Sequence, residues 1–536
     1  MFGFRSTRRG LRLADAATKA LVIAVAAMVI AVWGLFGAGV GVAHAASANA
    51  PAGARTAVAG SVLGVGAVRF APLAGQSANT TPGLPVIKDD GPSFTTDHEF
   101  GPAECDGITA PRDYDYLDCA LPVPSGSPAK VWPVIYPAGD ALTVDRVVLV
   151  SSRRVPNPQL TATAAVPGAS FSLSARPLSE TRAGGHYLLT GNSLTFTGAL
   201  PRLPGRDTLT ISWTVTSATS GTFLQTARSS HVVYVTAAKY AAPAGLDRSE
   251  EKPFVTVLNT GTAAASGVSG VQNVFDAIWN EFTTLSIKHA ILNPVTGSVS
   301  GGKVMTYYNN GFTTLSDGFN GDRNGCTELP GMLHTDSGHC GAWAAFFAMV
   351  MAFQGIPARW AVLGEQTGPN GYQPGPSPGR GCTAMKCAYM LVDPGLWHFR
   401  GATGRGIYRF RDKLTVTAAG AIDITGSEVT YSSTSVIAQG HVSTPPMWFL
   451  DGDHAIDQVT LPSGMKWVDP SYGDPMPPVT PFRSVKAYEP HAIAGFAAVY
   501  LKTGPKLVPL PATYSTSKIA ASCRNATCYF QAYKGT

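Results

Sequence analysis

The chain has 536 residues, enough for two or three domains, and only 14% of them are charged. The net charge of +6 is spread along the sequence and not gathered into a basic patch, which argues against nucleic acid as a partner. Eight cysteines suit an exported protein, where disulfides persist.

Residues 1–19 carry Arg5, Arg8, Arg9, Arg12 and Lys19, and an uncharged stretch then runs to Arg55. Its apolar part, Ala20 to Val42, is followed by Ala43-His44-Ala45, a small-residue cleavage pattern. Residues 1–50 therefore read as an export segment. It is either a signal peptide or, since the run is long enough to span a bilayer, a membrane anchor with its basic end inside. Both place the bulk of the chain outside the cytoplasm, in the cell membrane or secreted. Residues 51–95, rich in Ala, Gly, Pro, Ser and Thr without a period, read as a flexible linker.

Residues 96–244 change character. Asp145–Val150, Ser193–Phe196, Thr208–Val215 and His231–Thr236 are β-branched and apolar runs separated by Pro and Gly turns, the pattern of an immunoglobulin-like β-sandwich. Trp213 is expected in its core, and its role is that of a spacer or docking face.

Residues 245–536 read as an α+β domain. Val271–Ile287 has helical spacing. From Cys340 to Gln354 there is no charge, no helix breaker follows Gly341, and apolar residues occupy every face, so a helix buried all round should end at Gly355. Cys340 stands at its start, where unpaired peptide N–H groups favour the thiolate that attacks carbonyl carbon. The plainer reading is a buried core cysteine.

A cysteine nucleophile needs a base, and the base needs an orienting group. His454 and Asp469 flank an expected β-hairpin: Ala455–Leu461 is strand-like, Pro462, Ser463 and Gly464 turn, and Met465–Val468 returns. If Thr460 pairs with Met465, Ile456 falls opposite Asp469, and His454 is the diagonal neighbour of that aspartate on one face. A slip of one residue would separate them. His398 and His441 are rival histidines.

The order Cys, His, Asp, with G-x-C before an apolar helix closing in GIPAR and D-H followed by a strand, a turn and W-V-D-P, resembles the transglutaminase-like superfamily with its papain-like fold. The blocks cover 44 of 536 residues. The resemblance implies that Cys340 attacks an amide or related acyl carbon, His454 is general base and then acid, and Asp469 orients the imidazole. It makes Arg359 and Trp467 structural. Two departures stand out. The gap of 454 − 340 = 114 residues requires an insertion, at about 366–445, and A-I-D-Q-V after His454 lacks the aromatic and glutamate of many members.

No cofactor or metal is assigned. Asn320–Gly325 resembles the start of a calcium loop, but its twelfth position is Gly331, so a solvated turn is expected. Arg400, Arg405, Arg409, Arg411 and Lys413 read as a solvated basic face. The backbone N–H of Cys340 is one oxyanion donor; Tyr307, Tyr308 and His339 are conceivable seconds, and none is assigned. Cys382 with Cys387, Cys523 with Cys528 and Cys105 with Cys119 are spaced for local bridges. Cys326 and Cys340 remain, either free or bonded to each other. The expectation is an exported protease or amidase acting on an extracytoplasmic peptide or protein amide. A cross-linking transglutaminase, or a non-catalytic cell-surface module that keeps the fold, is the alternative.

Overall fold

A strand whose alternate residues are apolar buries one face, and the N-terminal half of the protein is built from such strands. In the computed structural model the described residues are, short breaks aside, 63–70, 130–307, 329–363, 454–473, 493–510 and 521–534, with isolated strands and single positions between them. The nine longer strands of the first half are β1 (Leu63–Arg69), β2 (Val134–Pro137), β3 (Thr143–Ser151), β4 (Pro158–Val166), β5 (Ala169–Pro177), β6 (Ser179–Ala183), β7 (His186–Thr195), β8 (Gly205–Ser217) and β9 (Phe223–Thr236). One sheet has the order β6-β7-β3-β1, extended by Tyr116–Leu117 and Lys130–Val131; the other runs β5-β4-β8-β9-β2, extended by Leu84–Pro85. Along β8, Leu209, Ile211, Trp213 and Val215 are buried while the threonines between them face outward. These residues share one core with Val65, Val147, Leu149 and Leu189 of the opposite sheet.

Strand β1 corrects the reading of residues 51–95 as a flexible linker, since Leu63–Arg69 lies inside the first sheet, paired with β3. The misleading signal was glycine. At Gly66 the register shifts by a bulge, and an added Cβ would meet the Val150 side chain at 3.0 Å and the Val148 carbonyl at 3.4 Å. Glycine permits this close approach of two backbones, so it marks packing here and not looseness.

The second half is strand-rich and mixed α+β. Helices α1 (Val255–Ala264), α2 (Val271–Thr283), α3 (Leu329–Thr335) and α4 (Cys340–Phe353) share a core with the ends of the sandwich strands, through Ile135 and Tyr234. Helix α4 is buried on every side: each residue from Ala342 to Phe353 is inaccessible, as its lack of charge requires. Phe347 packs edge-on against Phe282 of α2, ring centroids 4.8 Å apart, and against Trp279 at 5.6 Å. Gly261 of α1 lets the two helices close up, because a Cβ there would stand 3.1 Å from the Val350 side chain.

Strand β10 (Lys288–Leu292) pairs with Val299–Val304 beside these helices. A three-stranded antiparallel sheet of order β11-β12-β13, comprising Ala358–Leu363, His454–Leu461 and Gly464–Val468, lies against α4. Leu363 pairs with His454, so strands 91 positions apart (454 − 363) meet as if joined by a turn. The expected insertion is therefore an excursion between neighbouring strands. Its strands Tyr389–Val392, Asp412–Val416 and Ile422–Thr425 form a sheet with β14 (Ile493–Thr503) and β15 (Cys528–Lys534), at whose start Cys523 and Cys528 are bridged. Three strands within 366–445 thus build one sheet with the C-terminal strands.

Among the described residues no helix is long and apolar enough to cross a membrane. The export segment, the Asn320–Gly325 turn, His398, Cys119, Cys326, Cys382 and Cys387 lie outside the described residues, as does all of the basic stretch but Lys413.

Gly355 ends α4 with φ +73°, and an added Cβ would meet the Ala238 side chain at 2.6 Å and the Lys239 carbonyl at 2.7 Å. Gly355→Ala should destabilise the protein by roughly 2–4 kcal/mol through the left-handed backbone and this clash. A denaturant midpoint equal to wild type would contradict that.

Candidate active site

The nucleophile candidate is delivered by a short, tightly held run. Ser337–Gly338 pairs in parallel with Thr306–Tyr307, and Gly338 is pressed on Met332 so closely that an added Cβ would collide with the thioether sulfur. His339 follows in extended conformation, φ −83° and ψ 176°, and α4 begins at Cys340. The Trp360 indole N–H donates to the Gly341 carbonyl at 3.3 Å, tying the first turn of α4 to β11. Cys340 is a half-buried free thiol, which disposes of the expected alternative of a bridge to Cys326.

The hairpin takes the register expected from its turn. Thr460 pairs with Met465, and the ladder continues to Asp457 opposite Val468. Asp469 is next in line, diagonal to His454 on the same face. The imidazole Nε2 and Asp469 Oδ2 are 2.7 Å apart, and both side chains are wholly inaccessible. The same Oδ2 accepts the Tyr488 hydroxyl at 2.7 Å, and Oδ1 accepts the Ser471 N–H at 3.1 Å. A buried carboxylate must be met by donors, and this one has three.

Cys340 also acts on the imidazole. Burial, the largest single influence on His454, pulls its pKa down; the charge and hydrogen bond of Asp469, joined by the hydrogen bond and charge of Cys340, outweigh it and push the value up to about 10. Nε2 is committed to Asp469, so Nδ1 is the nitrogen left to exchange a proton with the thiol.

The surrounding groups stay neutral. Burial pushes His339 down to about 4, so it adds no second cation beside Cys340 at neutral pH. Burial and then the charge of Asp469 hold Tyr488 protonated, as a hydrogen-bond donor must be. Asp457, three positions along β12 from His454, is fully buried, and among the described residues neither carboxyl oxygen has a hydrogen-bond partner. Burial, followed by the negative charge of Asp469, raises its pKa well above the carboxylate range. The two aspartates of the hairpin thus differ in kind: one has three donors, the other none.

His454 and Asp469 come together, and Cys340 is near enough to enter the charge balance of the ring. Tyr307 is buried, and its hydroxyl accepts that of Tyr472 at 3.2 Å; the Tyr472 ring in turn stands 5.5 Å from that of His454. Tyr308 and the side chain of His441 lie outside the described residues. Arg359 is half-buried in β11, and Trp467 is buried, its backbone paired with Phe482. Tyr488 was not anticipated: the segment A-Y-E-P-H-A around it has no periodicity that would aim a hydroxyl at the aspartate. Among the described residues no group of three or more His, Cys, Asp or Glu is arranged to hold a metal ion. No protein-family model matches the chain, and no curated protein matches it.

The raised pKa of His454 links stability to pH. Unfolded, the ring titrates near 6.5, and folded near 10, so the native state holds the extra proton between these values. The stability contributed by the pair should be complete below about pH 6.5 and lost as pH rises through about 10. NMR of ring-labelled histidine should find His454 still protonated at pH 8; titration near 6.5 would refute the assignment.

Proposed function

We propose that the chain is an exported, thiol-dependent acyl-transfer enzyme that hydrolyses peptide or protein amides. In this reading the α4–hairpin half is a transglutaminase-like domain of papain-like build, and the two-sheet half before it is an immunoglobulin-like sandwich. The observation that carries the proposal is the buried imidazole held 2.7 Å from Asp469, with the free thiol of Cys340 contributing to its charge balance. The Cys523–Cys528 bridge and the basic, then apolar, N-terminal residues support an extracytoplasmic site, with the chain tethered to the membrane if that segment is uncleaved.

The chemistry follows from the roles of the three side chains. The Cys340 thiolate attacks the amide carbon, and the carbonyl electrons move to oxygen, where the N–H of Cys340 at the start of α4 is a donor. Collapse expels the amine, which takes the proton from Nδ1 of His454, and leaves an acyl thioester on sulfur. Water then attacks the thioester, gives its proton to the same nitrogen, and releases the carboxylic acid with the thiolate–imidazolium pair restored. Asp469 keeps Nε2 engaged throughout, so the ring neither turns nor exchanges tautomers. An amine in place of water would make the same intermediate into a cross-link. A binding module that merely kept the fold would have no need of a free thiol beside a buried, charged ring.

Cys340→Ala should fold and lose all acyl transfer to quenched fluorescent peptides. Asp469→Asn should lower turnover on the order of a hundredfold or more, and Tyr488→Phe, which removes one hydrogen bond to the carboxylate, about tenfold or less. Iodoacetamide should modify Cys340 faster than a small model thiol below neutral pH, and His454→Ala should remove the advantage. Full activity in the Cys340 variant would falsify the mechanism.

A further inference from the structure

Asp336 has a backbone that aspartate seldom adopts, φ +59°, and it lies four residues before Cys340. Such an outlier persists only where its surroundings hold it. Its carboxylate Oδ1 meets Nδ1 of His289, on β10, at 2.5 Å, with both side chains mostly buried. Its carbonyl accepts the backbone N–H of Thr306 at 2.8 Å and the Thr306 hydroxyl at 3.2 Å. The Thr335 hydroxyl donates to the Ser337 carbonyl at 2.9 Å, closing the turn across Asp336.

What the turn controls is the entry of the chain into α4. After Asp336, Ser337 and Gly338 lie along Thr306 and Tyr307, and one extended residue later the thiol is in place. Tyr307 also reaches the other half of the site, since its hydroxyl accepts that of Tyr472, whose ring stands beside His454. The two-residue strand Thr306–Tyr307 is thus in contact with the loop that carries sulfur and with a neighbour of the base. Anything that fixes the loop on this strand fixes the distance between sulfur and imidazole.

We propose that His289 and Asp336 are positioning residues for Cys340: the imidazole pins the left-handed turn on which the alignment of the thiol with His454 depends. The proposal rests on the reading of Cys340 as a nucleophile. A turn that served the fold alone would need only a residue tolerant of positive φ, and glycine would serve it as well as aspartate.

The test measures iodoacetamide modification of Cys340 by peptide mass spectrometry on the full-length protein, alongside thermal melts. Asp336→Gly, which keeps the backbone conformation without the carboxylate, and His289→Ala should melt near wild type yet react about tenfold more slowly. Asp336→Asn, which still offers an acceptor to His289, should stay within about twofold. In a His454→Ala background, where no partner remains to be aligned with sulfur, neither change should slow the reaction further. Wild-type rates in Asp336→Gly and His289→Ala, or equal slowing with and without His454, would overturn the positioning role. If Cys340 of the unmutated protein reacts no faster than a model thiol, it is the nucleophile reading that fails.

Discussion

The imidazolium of His454 is held in a site that water does not reach, and burial by itself would strip its proton. It keeps that proton because Asp469 is as deeply buried and 2.7 Å away. Such a pair is sustainable only if the remaining lone pairs of the carboxylate are also met, since desolvating two charges otherwise outweighs their attraction. Tyr488 and Ser471 meet them. The arrangement is therefore a closed set: removing any one donor strands charge in a low-dielectric interior. The register of the hairpin and the position of the Tyr488 hydroxyl both serve this requirement.

Asp457 shows what the same strand does with a carboxyl that lacks donors. Burial and the neighbouring charge of Asp469 keep it neutral, so the hairpin presents one negative charge to the histidine and not two. Environments that push apart the ionisation of two like groups give each a separate role, and here the division leaves Asp469 alone to orient the ring. At the other end, the neutral His339 leaves His454 as the charged ring next to the thiol. The polarity of the site is set as much by these two suppressed charges as by the pair that remains.

How much of this was legible in the residues varies with the range of the interaction. The buried helix, its stop at Gly355 and the register of the hairpin are local: an uncharged run from Cys340 to Gln354 and a Pro-Ser-Gly turn carry their own geometry. Pairing of distant segments leaves no such trace. Strand β1 reads as linker because Gly66, which makes its bulge, looks the same in composition as a glycine in a coil. Asp412–Val416 joins β15, more than a hundred positions on, through backbone hydrogen bonds that any residues of that shape could make. Tyr488 belongs to the same class: its hydroxyl matters through a contact nineteen positions back, in a segment with no period. The burial of Asp457 has the same origin, since it depends on the elements that cover both faces of the first half of β12.

The long separation between Cys340 and His454, which the resemblance to a compact fold made awkward, follows from where the excursion leaves and returns. Leu363 and His454 are paired neighbours, so the excursion leaves and returns at one end of two adjacent strands. Closing so long a loop costs only logarithmically more than closing a short one, and its ends are fixed by a ladder that exists without it. The excursion also has an anchor of its own, because its strands complete the sheet made by Ile493–Thr503 and Cys528–Lys534. It leaves and re-enters beside the histidine, and its Gln439 bonds the backbone of Phe282, Pro470 and Ser471, so the excursion also helps to hold the chain that follows the carboxylate.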